Sequence, residues 1–154
     1  MEAPQRKKIP AQTVIAMRHE GSHDDIGKAY HALYEWASQK SVKILGKGLT
    51  VFLNRPNEFD PKSAVFDVCL QVPPGTIGDD AVTVKELSAC EVYAAQVKGA
   101  YNTIPAHYAE LLAWMDADSV EVTGAPREVY INRPRADGGG DPAEFVTEIQ
   151  FPIG

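Results

Sequence analysis

Residues 26–36, IGKAYHALYEW, and residues 104–114, IPAHYAELLAW, read as one helix written twice. Ile26, Tyr30, Leu33 and Trp36 meet Ile104, Tyr108, Leu111 and Trp114 at a constant offset of 78. With Ala37 in the first stretch and Met115 in the second, the apolar positions recur at helical spacing, so each helix has one stripe to bury. The match continues outward on both sides. Val14 meets Val92, Gly21 meets Gly99, Ser41-Val42 meets Ser119-Val120, Gly46 meets Gly124, and Asn54-Arg55-Pro56 meets Asn132-Arg133-Pro134. Beyond that tripeptide the offset becomes 79, where Phe66, Gln71 and Pro73 meet Phe145, Gln150 and Pro152. Self-similarity at a fixed period over this length marks an internal duplication.

Each copy runs in the same order. A strand over 13–19 or 91–98 ends at the shared glycine, which permits a turn with positive φ. The helix follows, with Asp24 or Asp25, and Asn102 or Thr103, as N-caps and Pro105 in a first turn that has no use for its N–H. A strand over 49–54 or 128–132 then stops at the Asn-Arg-Pro tripeptide. The last strand alternates: Phe66, Val68, Leu70 and Val72 against Asp67, Cys69 and Gln71, and Phe145, Thr147, Ile149 and Phe151 against Val146, Glu148 and Gln150. That pattern predicts one well-covered face and one more polar face. Residues 82–87 add a short extra strand or extension. The expected architecture is α+β: a tandem strand-helix-strand-strand repeat forming an antiparallel sheet of about eight strands, with two helices on one face and a central cleft. The expected organisation is a single domain, with repeat one over about 9–73, a linker over 74–81 and repeat two over about 82–154.

Composition narrows the function. A length of 154 residues suffices for a sizeable core, and 44% hydrophobic with 23% charged residues is ordinary for a globular chain. No apolar run is long enough to span a bilayer, and the start of the chain lacks a signal-peptide core, so a cytoplasmic protein without membrane contact is expected. The net charge of −6, with no basic cluster beyond Arg6-Lys7-Lys8, argues against direct nucleic-acid binding. Cys69 and Cys90 form no CxxC pair and read as buried free thiols. His19, His23, His31 and His107 have no zinc spacing, and neither a nucleophile elbow nor a phosphate loop is present, so no metal or cofactor is expected.

Gly99-Ala100-Tyr101 with Ile104, then Tyr108, Trp114, Glu128-Val129-Tyr130 and the terminal Thr147-Glu148-Ile149-Gln150-Phe151-Pro152-Ile153, resembles the second half of GyrI-like domains, the effector-binding domains of AraC-type and multidrug-sensing regulators. The resemblance spans about residues 9–153. It implies a cleft for lipophilic, often cationic, small molecules, with an acidic residue on a central strand ringed by aromatics. Glu128 matches that acid best. Its repeat counterpart is Thr50, so the charge is peculiar to copy two; Glu148, opposite Cys69 in the alignment, is the rival. Strand parity places Tyr130 on Glu128's face without saying whether that face meets the helices. Tyr130, Trp114, Tyr93, Tyr108 and Trp36 complete the candidate ligand-binding set, each also a candidate for plain core packing.

Three functions follow from the resemblance: a sensor or sequestering module for lipophilic cations; a hydrolase of cyclopropane-type electrophiles, with Glu128 and Tyr130 catalytic; and an inhibitor acting on a protein partner, as the gyrase-inhibiting members do. A homodimer stays open. SOUL-like haem binders share a similar duplicated fold, with His31 or His107 as the axial candidate here. No helix-turn-helix segment is read before Ile9, so any role in transcription is expected to need a partner.

Overall fold

The computed structural model describes residues 2–22, 25–53, 64–100, 103–132 and 141–154. Within them lie eight strands and two helices in the order β1 (Gln5–Ile9), β2 (Gln12–Gly21), α1 (Ile26–Gln39), β3 (Gly48–Phe52), β4 (Ala64–Gln71), β5 (Thr83–Leu87), β6 (Cys90–Lys98), α2 (Ile104–Ala117), β7 (Arg127–Asn132) and β8 (Val146–Ile153), with a short 3-10 turn at Pro142–Glu144. Asn54-Arg55-Pro56, Arg133-Pro134, Asp24, Asn102 and residues 136–140 lie outside the described residues.

All strands join one antiparallel sheet, curled into a half-barrel, in the order β1-β6-β8-β7-β3-β4-β2-β5. Read from either end, that order gives the same sequence of repeat positions. The pseudo-twofold therefore passes between β3 and β7, which pair through Leu49↔Val129, Thr50↔Glu128 and Val51↔Arg127. The edge strands are exchanged between repeats: β1 pairs with β6 of copy two, and β5 pairs with β2 of copy one. Gln5–Ile9 and Thr83–Leu87 stand at the same offset of 78, and their registers agree, Gln5 opposite Ala94 and Thr83 opposite Ala16. The polar β1, QRKKI, has no strand-like alternation to announce it; what makes it a strand is the open edge of β6.

Both helices bury their stripes on one face of the sheet. Ile26, Leu33 and Ala37 of α1 pack with Ile15, Phe52, Phe66, Val68 and Leu70. Ile104, Tyr108, Leu111 and Met115 of α2 pack with Tyr93, Ile149 and Phe151. Each helix ends alike: Ser41 and Ser119 adopt φ 54°, and Val42 N–H donates to the Ala37 carbonyl as Val120 N–H does to that of Met115, at 2.9 Å each. This is a Schellman closure with serine where glycine is usual. The N-cap positions fall to Asp25 and Thr103, whose side chains cap no helix N–H; the Asp25 carboxylate takes His19 instead. Gly21 and Gly99, at φ 152° and 138°, make the turns into the helices in a region other residues rarely enter.

The far face of the sheet is less polar in effect than its alternation predicts. Val14, Ala16, Leu49, Val51 and Cys69 form a third cluster there, and Asp67, Glu148 and Gln150 are themselves buried. Lysines from the exchanged edge strands neutralise its acids: Lys85 Nζ lies 2.8 Å from Asp67 and Lys7 Nζ 2.7 Å from Glu148. Cys69 is buried and Cys90 only partly so. Among the described residues no helix is long and apolar enough to cross a membrane.

Candidate functional site

The central strand pair carries polar side chains into the helical face. Thr50 and Glu128 are fully buried, opposite each other on the axis, with both helices above them. Tyr108, from the stripe of α2, donates its hydroxyl to Glu128 Oε2 at 2.7 Å, and Tyr130, two residues along β7, donates to Oε1 at 3.3 Å. Thr50 Oγ1 lies 2.7 Å from the Tyr130 hydroxyl and 3.3 Å from that of Tyr30, which stands on α1 where the repeat puts Tyr108 on α2. Because Tyr130 gives its one proton to the carboxylate, Thr50 must donate to Tyr130 and accept from Tyr30. The result is a directed chain, Tyr30 to Thr50 to Tyr130 to Glu128, met from the other side by Tyr108.

Local sequence sets this geometry. Gly48 begins β3 beneath the Tyr30 ring, where a Cβ would lie 2.9 Å from Cε1, so any other residue would push the ring off the strand. Tyr30 meets the Tyr130 ring edge-on at 5.6 Å, and Tyr108 meets Phe151 edge-on at 5.9 Å. Burial, followed by the charge of Glu128, holds the Tyr108 and Tyr130 phenols well above their ordinary values; burial does the same for Tyr30. All three hydroxyls therefore keep their protons and act as donors. Thr147, opposite Tyr130 on β8 and fully buried, has an Oγ1 with no hydrogen-bond partner among the described residues. Its repeat counterpart is Val68, so this hydroxyl, like the carboxylate, belongs to copy two alone.

Of the candidates named from sequence, the structure brings together Glu128, Tyr108 and Tyr130. Tyr30 and Thr50 join them without having been singled out, although the repeat offset linking Tyr30 to Tyr108 and Thr50 to Glu128 was the signal that could have found both. Glu148 lies on the far face, held by Lys7, by Gln150 at 2.8 Å and by Gln96 at 3.2 Å. Burial alone would raise its pKa, and these hydrogen bonds reverse that, leaving it below the ordinary carboxylate value. Tyr93 bonds Asp118 at the end of α2, and burial with that contact pushes its phenol up to about 12. Trp36 donates Nε1–H to Asp79 at 2.9 Å near the opposite end of α1 from its entry turn, and Trp114 is 42% exposed. His31 and His107 lie on the helices beside Glu35 and Glu110, at 3.8 and 3.9 Å.

A family model described as the GyrI-like small molecule binding domain matches residues 2–154. No curated protein is matched. Among solved structures, the EcmrR chain of an EcmrR–DNA complex shares 21% identity at a TM-score of 0.87, over 97% of this chain and 56% of that one, so this chain spans little more than half of that protein. The isolated EcmrR C-terminal domain gives 22% identity and 0.81, over 98% and 96%. A hydrolase from Listeria innocua gives 14% and 0.68, over 99% and 92%. SAV2435 bound to tetraphenylphosphonium gives 14% and 0.63, over 100% and 94%. At these identities the likeness is one of fold.

Proposed function

Since the chain belongs to the GyrI-like small-molecule-binding domain family, we propose that its ligand is a lipophilic organic cation held over the central strands, with Glu128 as counter-ion and Tyr30, Tyr108 and Tyr130 as its aromatic surround. The observation that carries this is the placement of one fully buried carboxylate on the axis, inside an apolar helical face, where the repeat has threonine. A buried carboxylate is costly unless its charge is used or offset. Tyrosine faces attract cations, and the tyrosine hydroxyls keep Glu128 oriented until a cation arrives. The ligand recorded with SAV2435, a phosphonium bearing four aryl groups, has the chemistry such a site would take. Entry requires a ring to turn aside, and Tyr30, only partly buried, is the one at the solvent side.

The test is calorimetric titration of tetraphenylphosphonium, with neutral triphenylmethanol as control, into the protein and its Glu128→Gln variant. The phosphonium should bind the parent saturably and the variant at least tenfold more weakly, a change of about 1.4 kcal/mol. Equal binding to both would overturn the reading.

A second reading rests on the 2.7 Å contact of Tyr108 with Glu128, a carboxylate paired with a phenol in a dry site. In hydrolysis of a cyclopropane-bearing electrophile, Glu128 would take a proton from water, the water oxygen would bond to a ring carbon as the ring C–C bond breaks, the ring-bond electrons would take up the Tyr108 proton, and Glu128 would return its proton to the Tyr108 phenolate across their 2.7 Å contact. Mass-spectrometric detection of a product 18 mass units heavier, lost in Glu128→Gln, distinguishes turnover from binding. Regulation through a partner remains part of the proposal for either reading.

A further inference from the structure

A recess separate from the axis lies between the C-terminal end of α1 and the strap of residues 73–82 that joins the repeats, and it encloses about 600 Å³. That is within the size range of small-molecule sites. Trp36, Val42, Pro73 and Ile77 supply its apolar walls, and Lys40 and Lys43 its cations. Ile77 is 85% exposed, an aliphatic side chain held in water at the mouth of the recess.

The acid among the described lining residues, Asp79, is already committed. Its Oδ2 accepts Trp36 Nε1–H at 2.9 Å, its Oδ1 accepts the Ala81 and Val82 N–H groups at 2.9 and 3.0 Å, and Lys40 Nζ stands 4.0 Å away. These contacts fix the indole plane and tie down the strap. Lys43 forms no ion pair among the described residues. The equivalent positions of the other repeat are acidic, Asp118 and Glu121 standing where Lys40 and Lys43 do, so this pair of lysines is not repeated.

We propose that this recess binds a small aromatic carboxylate, its ring lying against Trp36 and Ile77 and its carboxylate meeting Lys43 and Lys40. An oriented indole edged by an exposed aliphatic side chain selects a flat apolar ligand. The uncommitted ammonium group selects an anion, on a chain whose net charge of −6 otherwise repels one. The charge preference is opposite to that proposed for the axial site, and neither site depends on the other.

With two tryptophans in the chain, the indole N–H signals in a proton–nitrogen correlation spectrum give a direct readout, assigned with Trp114→Phe. Phenylacetate should shift the Trp36 signal saturably and leave that of Trp114 in place. Phenylacetamide should bind at least tenfold more weakly, as should phenylacetate to Lys43→Glu, whose fold the same spectrum checks; Lys43→Gln, with a smaller loss, serves if the reversal disturbs folding. Binding should persist in Glu128→Gln. The proposal fails if the Trp36 signal does not saturate, if acid and amide bind alike, if Lys43→Glu binds as the parent does, or if Glu128→Gln abolishes the effect, which would place the ligand on the axis instead.

Discussion

Thr50 and Glu128 are the same position of the two repeats and also face each other directly across the central pair of strands. Duplication with a twofold axis between β3 and β7 produces such a self-facing pair, and one substitution there makes a symmetric frame asymmetric. Because the frame is shared, the charge should be movable. Thr50→Glu combined with Glu128→Thr would put the carboxylate within reach of Tyr30 in place of Tyr108, with Phe52 replacing Tyr130 as its neighbour and so one donor fewer. We expect this double variant to bind tetraphenylphosphonium at least tenfold more tightly than Glu128→Thr alone, measured by titration. Thr50→Glu alone should instead destabilise the fold, because it sets two carboxylates opposite each other in a dry layer.

The tyrosines around Glu128 should differ in weight. Removing the Tyr108 hydroxyl takes away a 2.7 Å donor from a fully buried carboxylate, and Tyr130→Phe also leaves Thr50 without its 2.7 Å partner. Each should cost about 1–3 kcal/mol in urea unfolding. Tyr30→Phe loses the longer 3.3 Å contact to Thr50 and a hydrogen bond with the Cys69 backbone, at a side chain only partly buried, and should cost about 1 kcal/mol. If Tyr30→Phe proved the most destabilising of the three, the hydroxyls on Glu128 would not be the ones that matter most to the fold.

The duplication was legible because identical residues recur at one offset, and a repeated strand-helix-strand-strand order with apolar stripes leaves few ways to bury both helices. The parity of Glu128 and Tyr130 was legible too, but not the face, since Val129 and Ile131 are as apolar as a buried face would need. What decides the face is tertiary: α2 carries Tyr108 over β7. The exchange of β1 and β5 was hidden for the same reason. QRKKI and TVKEL share one lysine at the repeat offset, Lys7 with Lys85, and that match gains meaning only when each is seen reaching a buried acid of the opposite repeat. Where the tryptophans stand was not legible, since helical spacing alone does not separate a residue over the axis from one at the helix's far end, where Trp36 meets Asp79.

The serines that close both helices sit at φ 54°, a conformation that costs a residue with a Cβ about 1–2 kcal/mol relative to glycine. Ser119 and Ser41 are exposed, so little packing is lost on substitution. Ser119→Gly and Ser41→Gly should each stabilise the protein by about 0.5–1 kcal/mol net of the extra freedom glycine gives the unfolded chain. The two gains should add, because the sites lie in separate helices. Thermal unfolding of the single and double variants measures this, and a loss of stability in either single variant would show that the serine hydroxyl matters more than the backbone.

Acid should open the molecule from the edges of the sheet. Burial by itself raises the pKa of Asp67 and of Glu148, but hydrogen bonds from Arg18 and Lys85 to the first, and from Lys7, Gln150 and Gln96 to the second, leave both lowered in the folded state. A carboxylate with a lowered folded pKa stabilises the fold above its unfolded pKa, and the contribution disappears as pH falls through the folded one. The ordinary values of 3.8 and 4.5 set the upper end of that window, so stability should be level above about pH 5 and fall steadily below 4.5. Lys7→Gln and Lys85→Gln should lower stability near neutral pH and flatten the acid slope, because each raises the folded pKa of its acid toward the unfolded one. Hydrogen exchange in acid should then quicken first in β1 and β5, the strands these lysines fasten. An acid slope unchanged in the Lys7→Gln/Lys85→Gln double variant would mean that other carboxylates carry the acid sensitivity.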